Sequence, residues 1–187
     1  MDTLAFFTTF EFGWFNAWIP SFGMIAIQLL YLFIYKEGGK RAVDTSWYNE
    51  TDRRNSYGST LLQIILLIIS LFIPLKIGTW WFVVGTVVYS ISLFVFIAAI
   101  HSYAIAHPDK TIKNGIYRFS RNPIYLAFHT GMLGVCIGSA SLWLLLIIIP
   151  FFVLTHFVIL GEERYCTETY GEEYLRYKNN TPRYFFF

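Results

Sequence analysis

The sequence predicts an all-α integral membrane protein with five transmembrane helices, and three observations carry the prediction. Hydrophobic residues make up 56% of the 187-residue chain and charged residues only 14%, too little polar surface to clothe a soluble domain. The apolar residues arrive in long runs free of Asp, Glu, Lys and Arg, and a helix needs roughly 20 such residues to cross a hydrocarbon layer about 30 Å thick. The basic residues segregate: with five spans, thirteen of the fourteen Lys and Arg fall on one side. Four or six spans would scatter them.

Each span follows from an uncharged run. Phe12 to Tyr35 is the first and Asn55 to Leu75 the second, ending near Pro74. Ile77 to Pro108 holds one span and a helical extension. Asn122 to Gly161 holds forty residues, enough for two spans, and Gly138-Ser139-Ala140-Ser141 is the small, turn-prone cluster near its middle. A helix 4–helix 5 hairpin is therefore expected there. Helices are the default because lipid cannot satisfy free backbone groups, and the runs lack the polar alternation of barrel strands.

Orientation follows from the loops. Lys36, Lys40, Arg41, Arg53 and Arg54 follow helix 1; Lys110, Lys113, Arg118 and Arg121 follow helix 3; Arg164, Arg176, Lys178 and Arg183 follow helix 5. Lys76 alone falls on the other side. The N-terminus is expected outside and the C-terminus in the cytoplasm, with the six Trp residues near span ends as interfacial anchors and Tyr184 to Phe187 as an interfacial foot. The first residues carry Asp2 and Glu11 and no cationic stretch, so cleavage as a signal peptide is not expected. Residues 1–187 are read as a single membrane domain, with helices 1 and 2 (roughly 12–75) peripheral to a core from 77 to 187. No repeat, nucleic-acid signature or obligate protein partner is evident. Cys136 and Cys166 lack metal-ligand spacing and are not expected to pair.

Three polar clusters fall on the cytoplasmic side. The first runs from Pro108 through Asp109, Lys110, Thr111 and Ile112 to Tyr117. The second is Arg121-Asn122-Pro123-Ile124-Tyr125, where Asn122 suits an N-cap and Pro123 a first helical position. Read blandly it starts a helix. Its open amides and positive dipole end also suit an anionic group. The third is Glu162-Glu163, followed by Tyr170-Gly171-Glu172-Glu173-Tyr174. Adjacent carboxylates are disfavoured at a helix C-terminus unless a cation joins them; Arg164 or Arg121 are the nearest candidates in the chain. His129 lies seven residues after Asn122, and His156 seven before Glu163, about 10 Å along each helix. In an antiparallel hairpin the two imidazoles would line a pocket opening toward the polar clusters. Two ligands are too few for a metal, so no metal is expected. His101 is a weaker candidate of the same kind.

The ordered set Gly115-Ile116-Tyr117, Arg121 to Tyr125, Glu162-Glu163 and Tyr170 to Tyr174 resembles the integral-membrane methyltransferase superfamily. That group includes isoprenylcysteine carboxyl methyltransferases and phospholipid N-methyltransferases. The resemblance covers about the last eighty residues; the first two helices carry no family signature. It implies S-adenosylmethionine as cofactor, at the cytoplasmic end of the helix 4–helix 5 hairpin. Asp109, Lys110, Thr111 and Ile112 would wrap it. Tyr117, Arg121, Asn122, Pro123, Ile124 and Tyr125 would contact it. Glu162 would meet its cationic amino-acid end, with Glu163 in support. The partners implied are the membrane and a lipophilic or lipid-linked acceptor. On chemical grounds apart from the resemblance, His129 is the candidate base where the acceptor arrives protonated. Two positions depart from the commonest pattern: Asn122 stands where His is usual, and Val158 where the isoprenylcysteine branch has a substrate-binding Arg. Two alternatives stand beside this reading. Membrane sterol reductases, which bind NADPH, share a similar Arg-x-Pro-x-Tyr segment and a tail resembling Tyr170 to Tyr174 with Arg183-Tyr184. A non-catalytic scaffold or small transporter is the other, although no inverted repeat is present.

Overall fold

The computed structural model describes residues 3–107 and 109–185. Pro108, the end of the third predicted span, and Phe186 and Phe187 of the aromatic foot lie outside the described residues, as does Asp2. The chain runs α1 (Thr3–Thr8), α2 (Trp18–Ile34), α3 (Lys36–Val43), α4 (Glu50–Ser70), α5 (Trp80–Ala104), a 3-10 turn (Gly115–Arg118), α6 (Pro123–Ser139), α7 (Leu142–Tyr170) and α8 (Glu172–Asn180). No strand occurs among the described residues; Asn16 and Pro74 form one isolated bridge.

The five predicted runs correspond in position to α2, α4, α5, α6 and α7, which pass back and forth between two ends of a bundle. By length and composition, α5 and α7 can each cross a membrane, and α2 with α3 counts as a third if that pair, bent by 117°, is one span. The apolar α6 has only 17 residues, and α4 opens on a polar turn holding Glu50, Asp52, Arg53 and Arg54. The outer surface is apolar. On α5, Val83, Val87, Ile91 and Phe94 are exposed along one stripe, and on α7 Leu146, Ile149, Val153 and Phe157 form another. Such stripes suit lipid as solvent.

Local chemistry sets the helix ends. Asn49 and Asp52 form a reciprocal capping box at α4, with bonds of 2.8 and 3.1 Å. The Thr79 hydroxyl accepts from the Phe82 amide at 3.3 Å to start α5. The turn expected over Gly138 to Ser141 is present: Ala140 takes a left-handed conformation with φ 48°, and Ser141 caps α7 by accepting from the Leu144 amide at 3.3 Å. α7 stops at Gly171, whose φ of 51° turns the chain into α8.

Helix pairing departs from the sequence picture. α6 presses most closely on α5, its antiparallel neighbour across the long 105–122 connection. A Cβ on Gly85 would come within 2.2 Å of the Gly138 amide nitrogen and 2.5 Å of the Gly134 carbonyl oxygen. Gly134 and Gly138 form a small-xxx-small pair that lets two backbones touch, a common basis of helix association in lipid. α7 meets α4 in the same way: a Cβ on Gly161 would sit 2.7 Å from Asp52 Oδ1, and Ser59 and Thr155 hydrogen-bond at 3.1 Å. Between these pairs lies a core that includes Met24, Leu66, Phe96, Met132 and Leu144.

The sharpest irregularity is the elbow between α2 and α3. Gly38 abuts the Ala104 backbone, where a Cβ would be 3.0 Å from its Cα, and a Cβ on Gly39 would be 2.4 Å from the Leu32 carbonyl oxygen. Gly39 is what lets α3 fold this tightly against α2, and Gly38 eases its approach to the end of α5. The elbow carries Arg41 under the α5 C-terminus, where the guanidinium donates to the Tyr103 and Ala106 carbonyls at 2.5 and 3.4 Å.

Candidate functional site

A cavity of about 260 Å³ opens at the end of the bundle where most basic residues gather. The loop into α6 contributes Thr111, Ile112 and Tyr117 to its wall. The start of α6 contributes Arg121, Asn122, Ile124 and Tyr125, and α7 contributes Glu162 and Glu163. Two polar helix ends that are forty residues apart in sequence thus meet around one hollow.

The two adjacent carboxylates do different work. Glu163 is 3% exposed and faces the C-terminal tail. Its Oε1 accepts from Arg121 Nε at 3.0 Å, Asn122 Nδ2 at 3.0 Å and Arg183 Nε at 3.1 Å. Its Oε2 accepts from Arg121 Nη2 at 3.1 Å and Arg183 Nη2 at 3.0 Å. Two side-on guanidinium forks therefore hold one carboxylate, the strongest geometry available to such pairs. Arg121 is completed by the Lys178 and Thr181 carbonyls at 2.8 and 2.7 Å, and the Ser120 hydroxyl donates to the Arg183 carbonyl at 2.9 Å. This knot fastens the tail across the entrance to α6. Asn122 occupies the N-cap position but makes no capping bond, because its side chain is committed to Glu163. Asn122 and Pro123 thus take the expected N-cap and first helical positions of α6, but without a side-chain capping bond.

Glu162 points elsewhere. It accepts the Tyr125 hydroxyl at 2.5 Å and, among the described residues, is ion-paired to no Lys, Arg or His. Arg121, one cation proposed for the pair, is taken by Glu163, and Arg164, the other, pairs with Asp52 and reaches Glu168 at 3.8 Å. Around Glu162 the wall is rich in aromatic rings, among them Trp47, Tyr48, Tyr103, Tyr117, Tyr165 and Tyr170. Trp47 and Tyr165 stack with centroids 4.6 Å apart. Burial pushes the phenols of Tyr117, Tyr174 and Tyr177 up, so they remain neutral. Aromatic faces beside an unpaired carboxylate favour an organic cation.

Two further lining residues carry buried polar atoms without a partner: Thr111 Oγ1 and Arg41 Nε. Such atoms in a cavity wall are what a ligand or water would complete. The unpaired carboxylate, the ring-lined wall and these orphaned donors fit a cofactor carrying a sulfonium, an ammonium and a carboxylate.

Other predicted residues lie apart from the cavity. Asp109 turns to solvent, 3.6 Å from His107, and Lys110 is exposed in the same bend. Pro123 is buried in packing, as the first residue of α6. His129 is 4% exposed and lines a separate small crevice with His156, Thr155, Tyr184 and Tyr125. Its Nδ1 donates to the Tyr125 carbonyl at 2.8 Å and its Nε2 has no partner. Tyr125 borders both spaces. His156 bonds Tyr184 at 2.8 Å, and His101 packs edge-on to Tyr31 and Tyr35. What the sequence concealed is the contribution of residues 28–48. Gln28, Leu32, Arg41, Trp47 and Tyr48, all within the 12–75 segment, wall the cavity. The Gly38-Gly39 pair was the available signal of that fold-back.

A family model for phospholipid methyltransferases matches residues 73–173. No curated protein and no solved structure matches the chain.

Proposed function

The chain belongs to the phospholipid methyltransferase family, and from that premise we propose that it transfers a methyl group from S-adenosylmethionine to a lipophilic or lipid-linked acceptor at the membrane. The observation that carries the proposal is Glu162: a carboxylate in a ring-lined cavity, bonded to the Tyr125 hydroxyl and to no cation among the described residues. When bound, the cofactor supplies an electrophilic methyl group on a sulfonium. Glu162 takes its cationic amino-acid end, and Thr111, Ile112, Tyr117, Asn122, Ile124 and Tyr125 form the surrounding wall. Glu163 and Arg121 act one step back, locking the tail and the α6 entrance so that the wall keeps its shape.

Methyl transfer by in-line displacement needs no nucleophile from the protein. It needs the acceptor held about 3–3.5 Å from the methyl carbon, in line, with water excluded. We assign His129 to the acceptor side. With Nδ1 committed to the Tyr125 carbonyl, Nε2 is the free base of the crevice that Tyr125 shares with the cavity. At the position where the isoprenylcysteine branch has an Arg, Val158 is buried and apolar, which favours an acceptor without a carboxylate there. In the membrane we place five spans, with the basic, cavity-bearing end in the cytoplasm, where the cofactor is made.

The test is titration of the detergent-solubilised protein with S-adenosylhomocysteine, followed by transfer of labelled methyl groups into a lipid extract. Saturable binding and a labelled lipid product are expected. Binding of NADPH in place of the adenosyl ligand would reject the reading.

A further inference from the structure

The cavity contains a second uncompensated charge, opposite in sign to Glu162. Arg41 lies on α3, outside the residues matched to the family. No carboxylate among the described residues forms an ion pair with it. Asp44, an exposed acid of the same wall and the nearest along the chain, accepts instead from the Ser46 amide at 2.9 Å. The other arginine in the wall, Arg121, is saturated by Glu163 and two carbonyls. Arg41 and the half-buried Glu162 are thus left without an ion-pair partner among the described residues, as is the solvent-exposed Asp44 of the same wall.

A plainer role exists for Arg41, as the cap of α5, and it uses only part of the side chain. One bond from each terminal nitrogen reaches the Ala106 and Tyr103 carbonyls. A guanidinium has five N–H groups, so three remain. The plane is fixed over the Tyr103 ring, 4.3 Å from Arg41 Cζ to its centroid. Nε is buried with no acceptor. Nε together with a terminal nitrogen is the edge by which Arg121 and Arg183 each grip Glu163 in this same chain. Tyr117 feels both charges: burial dominates its raised pKa, with Glu162 adding to the rise and Arg41 opposing it. The two charged groups therefore bear on one stretch of the wall.

We propose that Arg41 is the anion-binding residue of this cavity and takes the α-carboxylate of the cofactor, so that the amino-acid head is clamped between Arg41 and Glu162. The assignment rests on the methyltransferase reading above. Ammonium and carboxylate stand on one carbon of that head, which matches a site offering the Glu162 carboxylate and the Arg41 guanidinium on one wall. The buried Thr111 hydroxyl in the same wall is a further donor. It follows that the α2–α3 elbow, which has no counterpart in the matched region, completes the cofactor site.

The test compares S-adenosylhomocysteine with its decarboxylated analogue by calorimetric titration of wild type and R41Q in detergent. Wild type is expected to prefer the carboxylated ligand by about tenfold or more, the scale of one charge-assisted fork. R41Q is expected to lose that preference, weakening for S-adenosylhomocysteine while its affinity for the analogue holds. If R41Q does not fold, R41K, which keeps a cation able to cap α5, is expected to show a smaller loss confined to the carboxylated ligand. Equal weakening toward both ligands would assign Arg41 to capping alone and overturn the proposal, as would unchanged affinity for both. Wild type that binds neither ligand rejects the methyltransferase reading itself, and the clamp with it.

Discussion

Two neighbouring glutamates with opposite duties make the sharpest contrast between single residues. Glu163 is held by five hydrogen bonds from Arg121, Asn122 and Arg183. Glu163→Gln leaves two guanidiniums facing a neutral amide, and breaking a buried ion pair from one side costs about 3–5 kcal/mol. The expected result is a marked loss of thermal stability in detergent, with release of the 177–184 tail to protease. Glu162 supports no such knot. Glu162→Gln keeps the Tyr125 hydrogen bond and is expected to fold with near wild-type stability while binding S-adenosylhomocysteine about tenfold more weakly or worse. Matching stability losses in the two variants would refute the division of labour. His129→Asn should lower turnover at unchanged cofactor affinity, since the imidazole borders the crevice and not the cavity; a parallel drop in affinity would remove it from the acceptor side.

At the scale of elements, backbone contact decides which helices pair. The Cβ of Gly85→Ala would be driven to 2.2 Å from the Gly138 nitrogen, whereas one on Gly138 would meet nothing closer than Gly85 Cα at 3.6 Å. Gly85→Ala should therefore destabilise by about 1–3 kcal/mol, the usual cost of overpacking, and Gly138→Ala should be nearly neutral. Equilibrium unfolding in mixed micelles would show the asymmetry; equal effects would mean that α5 and α6 do not touch in this register. The α2–α3 elbow obeys the same logic. Gly39 admits the Leu32 carbonyl at a distance no side chain permits, and Gly38 meets the Ala104 backbone more tightly than most side chains would; that closeness places Arg41 on the cavity wall.

The whole molecule is apolar on its outer surface and polar at one end. Lys110 and Asn179 are exposed at the cavity end and Ile77 at the other. If the five passages are five spans, cysteines introduced at 110 and 179 should react with a membrane-impermeant maleimide from the cytoplasmic side, and one at 77 only from the opposite side. Labelling of all three from one side would dismantle the topology. The native thiols interfere little, because Cys136 is buried and Cys166 is partly shielded in the cavity wall.

Sequence alone settled the membrane class, the positions of the apolar helices, the turn at Gly138 to Ser141 and the grouping of polar clusters. Each is a local property: run length, hydropathy, turn chemistry, and charge counted loop by loop. Only the tertiary structure decided which helices touch, which of two adjacent carboxylates is neutralised, and that an N-terminal elbow closes the cavity. Those outcomes depend on distances between residues far apart in the chain, such as Gly85 to Gly138, Glu163 to Arg183 and Arg41 to Tyr103. The Gly38-Gly39 and Gly134/Gly138 patterns mark places of close approach but not their partners, because a charge or a small side chain acquires its meaning from the partner that folding brings to it.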